Sequence, residues 1–471
     1  MSRMHRLFEG WLFQLFILSL ISAPLRALSQ YDAQLPFLKE TGVPVFDRPS
    51  LIPSNKFFIG LPGLTCVNTR FINDGLSYLD AHTLTDTGAY IDIPRLIGKL
   101  RNHNTLSFGS SIDLFGAGIG VGKYYISMNV SHRAGMTFRY PKELLEFLYK
   151  GNGAFIGSTV DLSKTGFDAT RYWEIGLGIN QKITEKWAAG FRVRKLFGTD
   201  NASTSMQTLR ANTATNDYEL QLSSDLVVNT CTPLNTPGGL DSVSNSPGGM
   251  TGYVFGTGNG GWAFNLGAAF TPDDRLTVAL DVLDIGSITW KTTPVNYRLD
   301  NGYYSFSGLA VEDVLNSNAD TIDVVKAYVD SLKNAFDVQQ TNDEYTTALP
   351  VQLLLSGEYI FNPRFSGVMA IRSVFFKNEF IPHLTAMGRY KAGKHFTFGG
   401  SLCLQSGNFV TFGASVVGQF GLFNVFMVSD DVYGTIMPLH TSSSHFAIGL
   451  SILRPLQQKE IRKATRVKER Y

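Results

Sequence analysis

Between positions 348 and 453 the apolar and polar residues alternate almost without a break. Val351, Leu353, Leu355, Gly357, Tyr359 and Phe361 hold one phase, and Gln352, Leu354, Ser356, Glu358 and Ile360 the other. After Asn362-Pro363 the alternation resumes, with Phe365, Gly367, Met369 and Ile371 set against Ser366, Val368, Ala370 and Arg372. Residues 383–391, 394–405, 409–417, 421–428 and 445–453 complete the run. Period-two patterning in segments of about ten residues, punctuated by Gly, Asn and Pro, predicts antiparallel hairpins. Arg372, Arg389, Lys391, Thr397, Ser401, Gln405, Thr411, Ser415 and Asn424 share one face with glycines, and the other face carries Leu, Phe, Val and Tyr. A soluble sandwich buries its apolar face against a second sheet and rarely aligns so many strands. A membrane barrel turns that face to lipid and keeps a polar lumen. The expected fold is all-β, a transmembrane antiparallel β-barrel of about 14–16 strands over residues 57–453, with helical insertions in its loops.

The upstream chain repeats the pattern. Residues 57–71 form the first candidate strand, interrupted by Pro62. Residues 105–121 turn at Gly122-Lys123 into 124–140, where Ile126, Met128 and Val130 oppose Ser127, Asn129 and Ser131. Residues 172–183 and 187–197 give the clearest hairpin, with Trp173, Ile175, Leu177 and Ile179 against Glu174, Gly176, Gly178 and Asn180. Further strands are expected at 203–212, 217–229, 262–270 and 275–290. With the N-terminus in the periplasm, the tight connections at 122–123, 184–186, 213–216, 272–274, 362–363, 392–393 and 418–420 fall on one side. Most long ones, at 151–171, 230–261, 291–347 and 429–443, fall on the other, which is the rule for bacterial barrels.

Two outer connections carry helical spacing. Pro141 precedes a run with Leu144, Leu145, Phe147 and Leu148, and Asp320 is an N-cap for a helix with Val325, Val329, Leu332 and Phe336 on one face. Apolar surface on the outer side needs cover, so these eight residues are the expected contacts to a ligand or partner.

Composition adds the cell-envelope context. Of 471 residues 44% are hydrophobic and 17% charged, below the ~25% of soluble domains. Mean hydropathy is +0.01, and no mature segment reaches the ~20 apolar residues of a spanning helix. Barrels escape hydropathy because lumen residues dilute the apolar ones. Arg3, His5 and Arg6 precede an apolar run over 12–21 and then Ala27-Leu28-Ser29, so residues 1–29 read as a secretory signal peptide. Residues 30–56, with Pro36, Pro44, Pro49 and Pro53, read as a leader or plug. Residues 454–471 are a basic periplasmic tail of about +5. The net charge of +2 carries no nucleic-acid message.

Specific stretches carry a likeness. Phe57 to Leu64 reads Phe-Phe-Ile-Gly-Leu-Pro-Gly-Leu, and Asn73-Asp74-Gly75-Leu76-Ser77-Tyr78 follows. Arg139-Tyr140-Pro141-Lys142-Glu143-Leu144-Leu145, Lys150-Gly151-Asn152-Gly153 and Lys195-Leu196-Phe197-Gly198 extend it over most of the mature chain. Through these the sequence resembles an uncharacterised family of Bacteroidota outer-membrane proteins with a FadL/PorV-like barrel. Where the FadL-like group usually has Asn-Pro-Ala near the mature N-terminus, this chain has Asp47-Arg48-Pro49-Ser50, keeping the proline alone. FadL-like barrels have 14 strands. The resemblance implies passage or binding of small hydrophobic molecules as in FadL, or a non-enzymatic docking role in secretion or surface complexes as in PorV. It also implies glycosylation at Asp-Ser/Thr-apolar triplets, here Ser242, Thr321 and Ser331.

No catalytic or cofactor-binding constellation is expected. His132 follows Ser131, and neighbouring strand residues point to opposite faces. His383, His395, His440 and His445 lack metal-ligand spacing. Asp273-Asp274 and Asp430-Asp431 read as turn residues. Cys66, Cys231 and Cys403 are too scattered for a disulfide framework or a metal site. Outer-membrane lipid is the expected surrounding.

Overall fold

The computed structural model describes residues 32–74, 76–85, 88–216, 219–232, 256–306, 338–377, 379–405 and 409–455. Within them one antiparallel sheet closes on itself as a barrel of fourteen staves. The first stave is Asn55–Gly60 continued by Cys66–Asn73. His103–Val121, Tyr124–Pro141, Gly166–Lys182 and Trp187–Thr213 follow. The sixth is Leu220–Cys231 continued by Asn259–Phe270, and the seventh Leu276–Trp290 continued by Pro294–Phe306. Gln339–Thr341, Tyr345–Ala348 and Val351–Asn362 line up as the eighth. Phe365–Phe376, Glu379–Ala392, Phe396–Gln405, Phe409–Phe420, Phe423–Asp431 and Ser443–Pro455 complete the wall. Ser443–Pro455 pairs with both halves of the first stave, from Asn55↔Pro455 to Ile72↔Ser443, and that pairing closes the barrel.

The expected alternation is present in the wall. Ile126, Met128, Ile175, Leu177 and Ile179 are exposed on the outside, while Ser127, Asn129, Ser131, Glu174 and Asn180 are buried within. Leu177 is 54% exposed, whereas Glu174, three residues back on the same strand and in the opposite phase, is 1% exposed. Arg372, Arg389, Thr397, Ser401, Thr411, Ser415 and Asn424 are buried on the lumen side as anticipated. A continuous outer surface of Leu, Ile, Phe and Met over a charged interior is what a bilayer selects.

Tight turns gather at one end. Gly122, Gly393 and Gly421 adopt φ of 63°, 70° and 65° in them, the left-handed region that favours glycine. Pro141 leads into a helix, Lys142–Lys150, which ends at Gly151 with φ 73°. The connection after residue 73 contains the helices Tyr78–Ala81 and Ile93–Lys99 with a small hairpin, His82–Thr85 and Gly88–Ile91, between them.

Three expectations are corrected. The separate strand at 203–212 is the upper part of Trp187–Thr213, so the turn after Thr213 lies at the end opposite the tight turns. Gly198-Thr199-Asp200-Asn201 looks like a turn but stays in the strand. Trp290 fills the space over Gly198, Arg171 pairs with Asp200, and Tyr345 donates to Asn201. The insertion at 230–261 interrupts a stave partway up the wall, since Leu220–Cys231 and Asn259–Phe270 both pair with Trp187–Thr213. The stretch 291–347 is not all loop: Pro294–Phe306 pairs with Leu220–Cys231. The wall height is therefore uneven. Trp187–Thr213 has 27 residues against 10 in Phe396–Gln405, and ~9–11 residues suffice to cross a bilayer. The leader 1–29, the helix expected at 320–336 with Val325, Val329, Leu332 and Phe336, the candidate glycosylation residues Ser242, Thr321 and Ser331, and tail residues 456–471 lie outside the described residues.

Leu280 faces outward in the belt. Leu280→Arg is expected to cost ~2–4 kcal/mol of barrel stability, read by urea unfolding in phospholipid vesicles, and a loss under 1 kcal/mol would contradict a lipid-facing position.

Candidate functional site

Residues 32–54 run inside the barrel. Pro36 and Pro44 sit in the first turns of two short 3-10 helices, Leu35–Phe37 and Val43–Phe46, where their missing N–H costs nothing. The segment is short of backbone donors and packs by side chains instead. Leu35, Phe37, Leu38, Val43, Val45 and Phe46 form one buried cluster with wall residues Phe58, Tyr125, Leu354, Met387 and Phe426. The wall leaves room by omitting side chains. A Cβ on Gly116 would meet the Phe46 ring at 2.7 Å, and one on Gly190 the Pro49 carbonyl oxygen at 2.1 Å.

Both ends of the segment are tied down by polar groups. At the outer end the Asp430 carboxylate accepts the backbone N–H of Ala33 (2.8 Å) and Gln34 (3.2 Å) and the Arg70 guanidinium (2.5 Å). His445 Nδ1 accepts the Asp430 N–H at 2.8 Å, which leaves the proton of the neutral ring on Nε2, donated to Asp32 at 2.6 Å. Asp32, Asp430 and His445 have the spacing of a metal group, but these hydrogen bonds already engage them, and they act as a latch. At the inner end Asp281 accepts Ser50 N and Oγ, each at 2.7 Å, beside Arg48 at 3.5 Å. Asn180 donates to the carbonyls of Pro49 (2.7 Å) and Leu51 (3.0 Å). Arg389 donates to the Phe37 carbonyl at 2.5 Å and pairs with Glu358, which also holds Lys39. The segment 47–50, the place of the Asn-Pro-Ala in the resembled group, is thus an anchor point.

Above the segment a chain of alternating charges crosses the lumen. Arg133 and Arg194 both hold Glu174, at 3.2 and 3.0 Å. Arg194 also holds Asp284, which accepts Gln352 at 2.6 Å; Arg372 bonds Gln352 at 2.7 Å and reaches the Asp32 carbonyl at 3.3 Å. A cavity of about 70 Å³ lies among these groups, with Asp32, Pro36 and Asp47 in its lining. Further out is a pocket of about 420 Å³, lined by hydroxyls such as Thr137 and Ser203 and by Leu349, Val351, Val374 and Phe376. Tyr172 and Gln352 border both spaces. Beside the outer pocket Asp168 is held by Arg139 and by Lys377, and Lys377 also reaches the Thr204 carbonyl on another stave.

The sequence-derived contact residues fall elsewhere. Leu144 and Phe147 pack on Val160, Leu162 and Ala211 in the outer extension of the wall, Leu145 is half-buried, and Leu148 is 69% exposed. Ser131 points inward to Asp113 at 2.6 Å, while His132 packs on Trp173. Asp273 is the turn residue expected, accepting the N–H of Arg275 and Leu276. Asp430 is not in a turn: it is a fully buried lumen residue, and Asp431 caps the helix Val432–Ile436 through Gly434 N. Asp32, Asp281, Asp430 and His445 were not anticipated as a functional set. The available signal was an acid in an inward phase, as in Ala279-Leu280-Asp281, with no base within five residues to pair with.

The model of the Family of unknown function (DUF5723) matches residues 49–430. The chain belongs to that family. No curated protein matches it. Among solved structures, this DUF5723 barrel is similar to the Ralstonia pickettii toluene transporter TbuX (10% identity, TM-score 0.41, covering 88% of this chain and 93% of that one). It is also similar to the Pseudomonas putida toluene transporter TodX (11%, 0.39, 92% and 99%) and to a Pseudomonas aeruginosa FadL homologue (10%, 0.42, 92% and 100%).

Removing the latch by Asp430→Asn with His445→Ala is expected to speed trypsin cleavage after Lys39, between Lys39 and Glu40, in the folded barrel. Unchanged cleavage would show that the outer tie is not what holds the segment. Asp47 supplies a pH test. Burial raises its pKa to about 6; Arg133 partly offsets this, and Asp113, Asp284 and Asp32 add to it. A carboxyl raised in the folded state stabilises docking fully below its unfolded value, 3.8, and loses that contribution as pH rises through about 6. Cleavage should accelerate between pH 5 and 7 relative to Asp47→Asn, and equal slopes would refute the assignment.

Proposed function

We propose that this outer-membrane barrel takes up small, largely apolar molecules from the outer side, holds them in the 420 Å³ pocket and passes them inward when residues 32–54 give way. The observation that carries this reading is the division of the lumen. Its outer part holds a pocket of apolar and hydroxyl lining, which suits a small organic molecule. Its inner part is filled by the protein's own chain, which permits no standing aqueous pore. The shared residues Tyr172 and Gln352 place the pocket next to the cavity above the segment. Export by a cleaved leader over 1–29 and residence in the outer membrane complete the proposal. Leu144, Leu145, Phe147 and Leu148, with Val325, Val329, Leu332 and Phe336, are proposed to meet the incoming molecule or a partner at the outer face, and Ser242, Thr321 and Ser331 to carry glycans there.

The reading is non-enzymatic, in keeping with the opposed directions of Ser131 and His132. A second reading, docking of a secretion or surface-complex protein, draws on the exposed Tyr433, Ile436, Met437 and Leu439 in the outer connection after Phe423–Asp431.

Ser203 is a buried residue of the pocket lining, so Ser203→Trp fills the pocket and leaves the belt and the latch intact. Uptake of radiolabelled aromatic hydrocarbons and fatty acids by cells carrying the variant is expected to fall roughly tenfold, about 1.4 kcal/mol. Wild-type uptake by a correctly folded variant would overturn the proposal.

A further inference from the structure

The outer surface carries a feature that the lumen does not explain. Four adjacent staves each present one outward residue in a row across the sheet: Ile59, Ala117, Met128 and Leu177. Three are long and Ala117 stops at its Cβ, so the belt is dented at that position. The next row toward the tight-turn end, Phe57, Ile119, Ile126 and Ile179, restores the thickness. The resulting open groove, about 560 Å³, is lined by Phe57, Ile59, Ala117, Ile119, Met128 and Leu177 among others. Just above it the first stave breaks. Its register against Ser443–Pro455 slips by four residues between Gly60↔Ser451 and Val67↔Ile448, and Leu64 stands exposed there.

The lower end of the groove is basic. Lys56 immediately precedes Phe57, and Lys123 lies in the tight turn with its Nζ 5.7 Å from the Tyr124 ring centroid. Both are exposed, and among the described residues neither lies within ion-pair distance of a carboxylate. An apolar furrow in the belt that ends at two uncompensated lysines matches one molecule of the surrounding solvent.

We propose that the groove binds an anionic phospholipid of the inner leaflet, one acyl chain lying over Ala117 and the phosphate between Lys56 and Lys123. Width favours a chain over a protein helix. Ile59 and Met128 flank Ala117 at two interstrand spacings, ~9.6 Å before side-chain radii are subtracted, whereas a helix with side chains is ~10–12 Å across. Charge favours an anionic head, because a zwitterionic one would bring an ammonium toward two lysines. The bound chain would also cover the wall directly under its broken stave. This site rests on the belt and is independent of the uptake reading.

Native mass spectrometry of the detergent-purified full-length protein, incubated with phosphatidylglycerol or phosphatidylcholine, provides the test. Wild type is expected to retain one phosphatidylglycerol. Ala117→Phe, which fills the dent, should retain at least fivefold less, while Ala268→Phe, an outward alanine elsewhere in the belt, should retain as much as wild type. Lys56→Glu with Lys123→Glu should erase the preference for phosphatidylglycerol. Equal retention by the two phenylalanine variants, or equal retention of the two lipids by wild type, overturns the proposal; heat-modifiable electrophoretic mobility confirms that each variant is folded.

Discussion

In hydrocarbon a backbone N–H or C=O has no partner except another strand, and everything in this molecule follows from meeting that demand. The sheet must close, and it does so through the pairing of Ser443–Pro455 with Asn55–Gly60 and Cys66–Asn73. Closure gives every residue an inside or an outside. Lipid then fixes the outside as Leu, Ile, Phe and Met, and the polar residues have only the lumen to occupy.

A lumen filled with charges creates a second problem, since an isolated buried ion is far too costly. The chain solves it by alternation: Arg133, Glu174, Arg194, Asp284, Gln352 and Arg372 link hand to hand across the staves. The inner segment joins the same scheme. Its Asp32 ends that chain at the His445 and Asp430 latch, and its Arg48 answers Asp281. Where the segment is apolar the wall turns apolar too, at Phe58, Leu354, Met387 and Phe426. The two surfaces are complementary in charge and in shape, down to the side chains missing at Gly116 and Gly190.

The barrel was legible because its cause is local: period two in Val351–Asn362 or Gly166–Lys182 needs no knowledge of the partner strand. Stave boundaries were less so. Gly198 to Asn201 carries turn residues whose strand conformation is imposed by Trp290, Arg171 and Tyr345, all distant in sequence. Pro294–Phe306 hid for a related reason: its partner, Leu220–Cys231, lies across an insertion. The latch was least legible. His445 looked isolated because Asp32 lies 413 positions away, and only closure of the barrel brings them together. Leu144 and Phe147 were correctly placed on a helix, Lys142–Lys150, but spacing alone could not reveal that Val160, Leu162 and Ala211 would pack beneath them.

The unequal heights of the staves make the mouth oblique. Trp187–Thr213 rises far above the bilayer, whereas Phe396–Gln405 and Phe409–Phe420 stop near its surface. The rim is cut like a scoop, with the pocket set against the tall back. Under the uptake role proposed above, a solute adsorbed on the cell surface would enter over the low lip without first climbing into bulk water, and the slant would favour cargo that already prefers the interface.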